Sequence, residues 1–162
     1  LGADVPFFLQ GQTAFVEGIG ETLTPISGVK GHVLVFKPPI SCPTREIFAD
    51  PELTRDAKGV KIAVFDSARR TNSGLFEFLH ANTHNALQAV VERTTPEWHQ
   101  QFVEFTRCVN RFNPQLVRMS GSGSAMFALF ASPSQLSIAM AAVADAPELQ
   151  RGQLFECKIK PS

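Results

Sequence analysis

Apolar and polar positions change period several times along this chain, and each change predicts an element. Residues 4 to 10 are mostly apolar and run into Gln10-Gly11, a turn signal. Thr13 to Val16 suits a short strand, after which Gly18, Gly20, Thr24 and Pro25 read as a loop or hairpin edge. His32 to Lys37 is a β-branched and aromatic run stopped by Pro38-Pro39, which predicts a strand. Pro43-Thr44 opens a short helical stretch that ends before Pro51. Residues 52 to 74 are mixed and polar and predict no clear element. Around 84 to 93, Leu87, Val90 and Val91 fall at helical spacing. Thr95 then offers an N-cap with Pro96 at the first helical position. Behind it Trp98, Phe102, Phe105 and Val109 recur on one face of an amphipathic helix, a stripe best read as core.

The last third has the sharpest pattern. Residues 116 to 119 suit a strand leading into Ser120-Gly121-Ser122-Gly123-Ser124, and Ala125 to Ala131 is a continuous apolar run, so a buried strand. Ser132-Pro133-Ser134-Gln135 is a capping box with proline inside the start. It announces a helix to about Ala144, with Leu136, Ala139, Met140 and Val143 inward. Residues 154 to 160 alternate, with Phe155, Cys157 and Ile159 on one face and Glu156, Lys158 and Lys160 on the other, a half-buried strand. The order strand, helices, strand, strand, helix, strand predicts an α+β fold, with helices packed on a largely antiparallel sheet.

Composition narrows the function classes. With 162 residues the chain has room for one domain, perhaps with a short piece of another. At 44% hydrophobic and 19% charged, it has the material for a core rather than for disorder. Fifteen basic residues balance fifteen acidic ones, which leaves no electrostatic footprint for nucleic acid or an anionic membrane. No apolar run approaches a membrane span, and the first residues do not pattern as a signal peptide. Leu1-Gly2-Ala3-Asp4-Val5-Pro6 reads instead as the middle of something, with an upstream part expected. Cys42, Cys108 and Cys157 are odd in number and far apart, which predicts reduced, mostly buried thiols and a cytoplasmic setting.

Few groups stand out as chemistry. The Ser120 to Ser124 loop lets a backbone turn tightly and present successive N–H groups to an anion. It is neither a Walker A loop, since no G-K-[ST] follows, nor a dinucleotide fingerprint, since a strand follows it; a plain flexible hairpin is the other reading. Asp4, an acid inside an apolar segment, either caps a helix or serves as a catalytic base. His80 and His84 could share a helix face, but no further metal ligand sits at a matching spacing. Arg69-Arg70 and the basic residues around 55 to 61 read as a solvated surface, partly neutralised by Asp66. Phe48, one turn beyond Thr44, is either core or a ring-stacking platform.

Several segments taken together carry a resemblance. They are Leu1 to Phe8, Ala14 to Glu21 with Leu23-Thr24-Pro25, Ser41-Cys42-Pro43-Thr44, Ile47-Phe48, Asp50 to Arg55, and Arg118 to Phe127. In this order they resemble a branch of the GHMP small-molecule kinase superfamily, the kinases of 4-diphosphocytidyl-2-C-methyl-D-erythritol. Resemblance runs nearly the whole chain and is weakest between residues 57 and 95.

The resemblance implies ATP-dependent phosphorylation of the substrate's 2-hydroxyl in non-mevalonate isoprenoid biosynthesis, with Mg2+ accompanying the nucleotide. Asp4, within G-A-D-V-P, would be the catalytic base. Pro43, Thr44 and Phe48 match a P-T-x-x-x-F segment and would bind substrate, with Phe48 stacking on cytosine. Ser120, Gly121, Ser122, Gly123 and Ser124 would lie near the phosphates. The family's upstream ATP loop, of the P-x-x-x-G-L-G-G-G-S-S kind, and its upstream Lys have no counterpart in these residues. The expectation is therefore a C-terminal portion, inactive alone and missing its N-terminal kinase half. Residues 1–28 would be a remnant of the N-terminal domain and 29–162 a ferredoxin-like, substrate-side domain. Ala86 stands where the family has Asp, which weakens a polar role for that helix start, and Pro39 stands where Gly is frequent. The alternative from a different class is a stand-alone α+β module that binds a small ligand without catalysis.

Overall fold

The computed structural model describes residues 5–11, 14–25, 30–54 and 71–159. A short helix α1 (Val5–Gln10) ends at Gly11, whose φ of 63° turns the chain away. Strands β1 (Ala14–Glu17) and β2 (Thr22–Pro25) then form a hairpin of their own, with Ala14 opposite Pro25 and Glu17 opposite Thr22. The residues expected as a loop or hairpin edge thus include a second strand. Gly18 and Gly20, at φ 69° and 111°, supply the reversal that L side chains resist.

The main body begins at β3 (Gly31–Lys37), which stops where Pro38 and Pro39 remove the N–H donors a ladder needs. Helix α2 (Thr44–Ala49) ends before Pro51, as the sequence predicts. Helix α3 (Asn72–Asn82) is a helix the periodicity did not predict. Its N-cap is Thr71, whose hydroxyl accepts from Gly74 N at 3.0 Å. Helices α4 (Ala86–Thr94) and α5 (Pro96–Asn110) follow almost without a break. Thr95 occupies the N-cap position of α5 but makes no side-chain cap bond; its N–H instead closes α4 on Val91 O at 2.8 Å. Strands β4 (Leu116–Met119) and β5 (Met126–Phe130), helix α6 (Pro133–Ala144), a 3₁₀ turn at Pro147–Leu149 and strand β6 (Gln153–Ile159) complete the chain. Ser132 caps α6 as expected: its Oγ accepts from Gln135 N at 3.3 Å and meets Gln135 Oε1 at 3.0 Å.

The four strands pair in the order β4-β5-β3-β6, every neighbour antiparallel. Strand, helices, strand, strand, helix, strand with the first strand in the interior of the sheet is a ferredoxin-like arrangement. One face carries Leu34 and Phe36 of β3, Met126, Ala128 and Phe130 of β5, and Met119 of β4, all at most 2% exposed. Against them pack Val90 and Val91 of α4, Trp98, Phe105 and Val109 of α5, and Leu136, Ala139 and Val143 of α6. Phe36 stacks on Phe105 with ring centroids 5.8 Å apart, so the aromatic stripe is core as read. Arg118 points to the opposite face from Met119. Its guanidinium donates to Thr83 Oγ1 at 2.6 Å and Leu79 O at 3.0 Å, which seats the C-terminal end of α3 on that second face. There α3 buries Leu75, Phe76 and Phe78.

Two expectations are corrected at β6. The register sets Leu154 beside Phe36 and Glu156 beside Leu34 on the helix-covered side, and sends Phe155 and Cys157 to the other. Phe155 is 48% exposed and Cys157 is exposed, because β6 is an edge strand. The alternation holds, but neither side of β6 is fully buried: Leu154 and Ile159 are half-buried and the rest of the strand is exposed. Of the three free thiols only Cys108 is buried; Cys42 is half-buried. Among the described residues no helix is long and apolar enough to cross a membrane.

Candidate functional site

The residues between β4 and β5 form a tight loop whose shape follows from its glycines. Gly121 and Gly123 take φ of 55° and 89°, conformations a Cβ would strain. Gly123 N donates to Ser120 O at 3.0 Å, and Ser120 N to Ala125 O at 2.8 Å. Gly123 also lies hard against its neighbours, since a Cβ built there would come within 2.9 Å of Met119 Sδ and 3.2 Å of Cys42 Sγ. No bulkier residue fits without moving the segment that leads into α2.

Three side chains from the helical layer hold this loop. Asn85 caps α4, its Oδ1 accepting from Leu87 N at 3.0 Å. Its Nδ2 donates to Met119 O at 3.0 Å and Gly121 O at 2.8 Å. Gln88, one turn on, accepts from Met119 N at 2.8 Å. Trp98 Nε1 donates to Ser124 O at 2.7 Å in the buried core. Ser124 is itself 1% exposed, its Oγ donating to Pro38 O at 3.4 Å and accepting from Lys37 Nζ. Ala86 leaves the polar role of the helix start intact, because Asn85 carries it.

The loop meets α2 through one contact, between Thr44 Oγ1 and Ser122 Oγ at 2.7 Å. Pro43 occupies the N-cap position of α2 without a side-chain cap bond. Phe48, one turn after Thr44, is 52% exposed, so it is not core. The structure therefore brings Thr44, in the segment that also carries Pro43 and Phe48, to Ser122 in the Ser120 to Ser124 loop, 78 residues away in sequence. Asp4 lies outside the described residues, as do Arg69, Arg70 and Asp66. His80 is in α3 and His84 in the connection after it, so the two do not share a helix. His84 instead lines a cleft of about 380 Å³ beside the loop, with Thr54, Asn85, Gln88, Glu92 and Arg118.

The local electrostatics are uneven. Burial pushes the Cys42 thiol up, against a smaller downward pull from the Lys37 charge. Burial also lowers the Arg118 guanidinium from its ordinary value. At the end of α2, the Glu52 N–H, 2.9 Å away, and then the Arg93 guanidinium, 2.7 Å away, hold the Asp50 carboxyl below the usual carboxylate range. Sequence reasoning missed Asn85, Gln88 and Lys37. Only Asn85 left a signal, as a cap residue immediately before a helical period.

No protein-family model matches the chain. Curated relatives do. The 4-diphosphocytidyl-2-C-methyl-D-erythritol kinase of Herminiimonas arsenicoxydans is 38% identical over 149 residues, which is 88% of this chain and 44% of that protein. The enzyme of the same name from Ralstonia nicotianae is 42% identical over 130 residues, 80% of this chain and 40% of its own. The chain is homologous to the 4-diphosphocytidyl-2-C-methyl-D-erythritol kinases. It spans less than half the length of these relatives. A crystal structure of a 4-(cytidine 5'-diphospho)-2C-methyl-D-erythritol kinase superposes with a TM-score of 0.68 at 27% identity. That match covers 97% of this chain and 53% of the kinase. Mevalonate kinase of L. major, at 16% identity and a TM-score of 0.53, shares the fold. The kinase family's ferredoxin-like domain is thus the frame on which Asn85 and Trp98 hold the glycine-serine loop.

Proposed function

We propose that this chain is the substrate-side part of a cytoplasmic, ATP-dependent kinase. It phosphorylates the 2-hydroxyl of 4-diphosphocytidyl-2-C-methyl-D-erythritol in non-mevalonate isoprenoid biosynthesis. The observation that carries this reading is the Thr44–Ser122 hydrogen bond. It joins the P-T-x-x-x-F segment to the glycine-serine loop, and these are the parts assigned to the base and to the phosphates. Phe48, one turn after Thr44 and 52% exposed, is the ring this reading assigns to stacking on cytosine. The N–H groups of Gly121, Ser122 and Ser124 donate to no acceptor among the described residues, which supports an anion nest. Asp4 accepts the proton of the 2-hydroxyl as that oxygen attacks the transferred phosphorus, and positioning by the loop does most of the rest.

The nucleotide is held elsewhere. These 162 residues contain no G-L-G-G-G-S-S run. ATP with its Mg2+ supplies the phosphoryl group when bound, through the kinase half that residues 1–28 join to the substrate-side domain at 29–162. The 162-residue chain alone transfers no phosphoryl group.

The test is ADP release with ATP, Mg2+ and the substrate, in protein expressed from the complete reading frame. Wild type turns over, and Asp4→Asn loses rate by about a hundredfold or more while substrate affinity changes little. No turnover from a well-folded wild type would replace this reading with a ligand-binding module.

A further inference from the structure

The end of β3 brings one cation, Lys37, to the 120–124 loop, and no carboxylate pairs with it among the described residues. The Lys37 ammonium has three N–H donors, and its bond to Ser124 Oγ uses one. The residue is exposed. Its anchor is fixed, because Ser124 is buried and held at its carbonyl by Trp98. The unspent amides of Gly121, Ser122 and Ser124 belong to the same loop. The Cys42 sulfur packs on Gly123, and the Lys37 charge pulls its thiol down against the larger effect of burial. A cation with donors to spare, bonded to a loop that has unpartnered amides, is the recognition chemistry of a phosphate group.

We propose that Lys37 is a phosphate-positioning residue, whose ammonium holds a phosphate group against the loop amides. This rests on the kinase reading for which phosphate it holds, the substrate's diphosphate, and on geometry alone for the anion site. A lysine that only staples Ser124 in place would contribute nothing to anion affinity beyond keeping the loop folded.

The experiment is calorimetric titration of the 162-residue chain with inorganic pyrophosphate, CDP and cytidine, across a range of salt. Wild type binds pyrophosphate and CDP with a clear salt dependence. Lys37→Met weakens both by about tenfold, flattens the salt slope and leaves cytidine affinity unchanged. Lys37→Arg restores most of the affinity, and a thermal melt of each variant shows the fold retained. Lys158→Met, about 17 Å away along the sheet at 3.3 Å per residue, leaves all three ligands unaffected. Pyrophosphate binding that is absent in wild type, or equal in wild type and Lys37→Met, overturns the proposal even if the complete reading frame turns over. Binding lost in Lys37→Met without turnover of the complete frame keeps the anion site and rejects the kinase.

Discussion

Asn85 does two jobs with one amide: its oxygen caps α4 and its nitrogen ties down two carbonyls of the glycine-serine loop. The jobs separate by substitution. Asn85→Ala loses both, at a cost of about 1 kcal/mol for the cap and about 1 kcal/mol for each loop bond. Asn85→Asp keeps a capping oxygen but turns a carboxylate toward Met119 O and Gly121 O. In that variant α4 keeps its helicity while amides 119–125 exchange faster by mass spectrometry. Equal exchange in Asp and wild type would reduce Asn85 to a cap. Sequence could mark Asn85 as a cap, since that signal is local. It could not mark the clamp, which depends on carbonyls 34 and 36 residues away. The same holds for Lys37, a strand-end lysine until the fold sets it on Ser124. Asp50 gives a pH signature. Its carboxyl is depressed, so its contribution to stability is present above the ordinary carboxylate pKa of about 4. That contribution is lost as pH falls through its own lower value. Asp50→Asn therefore makes the acid limb of the melting-temperature profile shallower below about pH 4.

At the scale of elements, most of the fold was legible because long elements repeat their pattern. The α5 stripe, the β5 apolar run and the α6 capping box each restate one answer several times. Helix α3 escaped because its apolar residues crowd together at Leu75, Phe76, Phe78 and Leu79, just beyond the mixed stretch, and their spacing does not repeat. Its place on the second face of the sheet is fixed by Arg118, not by a period of its own. The helix-covered side of β6 was misjudged for a related reason. Alternation names two faces without saying which one the helices cover, and the register against β3 decides it. Gly152 enforces that register at the entrance to β6. A Cβ there would overlap the Phe36 ring, which is fully buried. Gly152→Ala should cost about 1–3 kcal/mol by overpacking, read as a fall in urea midpoint. An unchanged midpoint would mean that Phe36 has room to shift.

For the whole molecule, protection should follow the sheet. Strands β3 and β5 have neighbours on both sides and carry the fully buried Leu34, Phe36, Met126 and Phe130. Among the described residues the β1–β2 hairpin pairs only with itself, and it leaves Val16 and Ile19 exposed at 43% and 83%. Hydrogen exchange should therefore be slowest in β3 and β5 and fastest in the hairpin. A hairpin as protected as β5 would mean that another surface covers it.

The interior position of β3 also sets a timetable for the ribosome. Its partners are residues 126–130 and 153–159, so for some ninety residues of synthesis β3 emerges with neither edge satisfied. Only when β5 clears the exit tunnel does one edge close, and the other waits for the last strand. During that interval an apolar edge, Val33 to Phe36, is open to other nascent chains. Chaperone dependence in the cell should accordingly be greatest between the emergence of β3 and that of β6, and a stall before Gln153 should send the product into aggregates rather than into a shortened soluble domain.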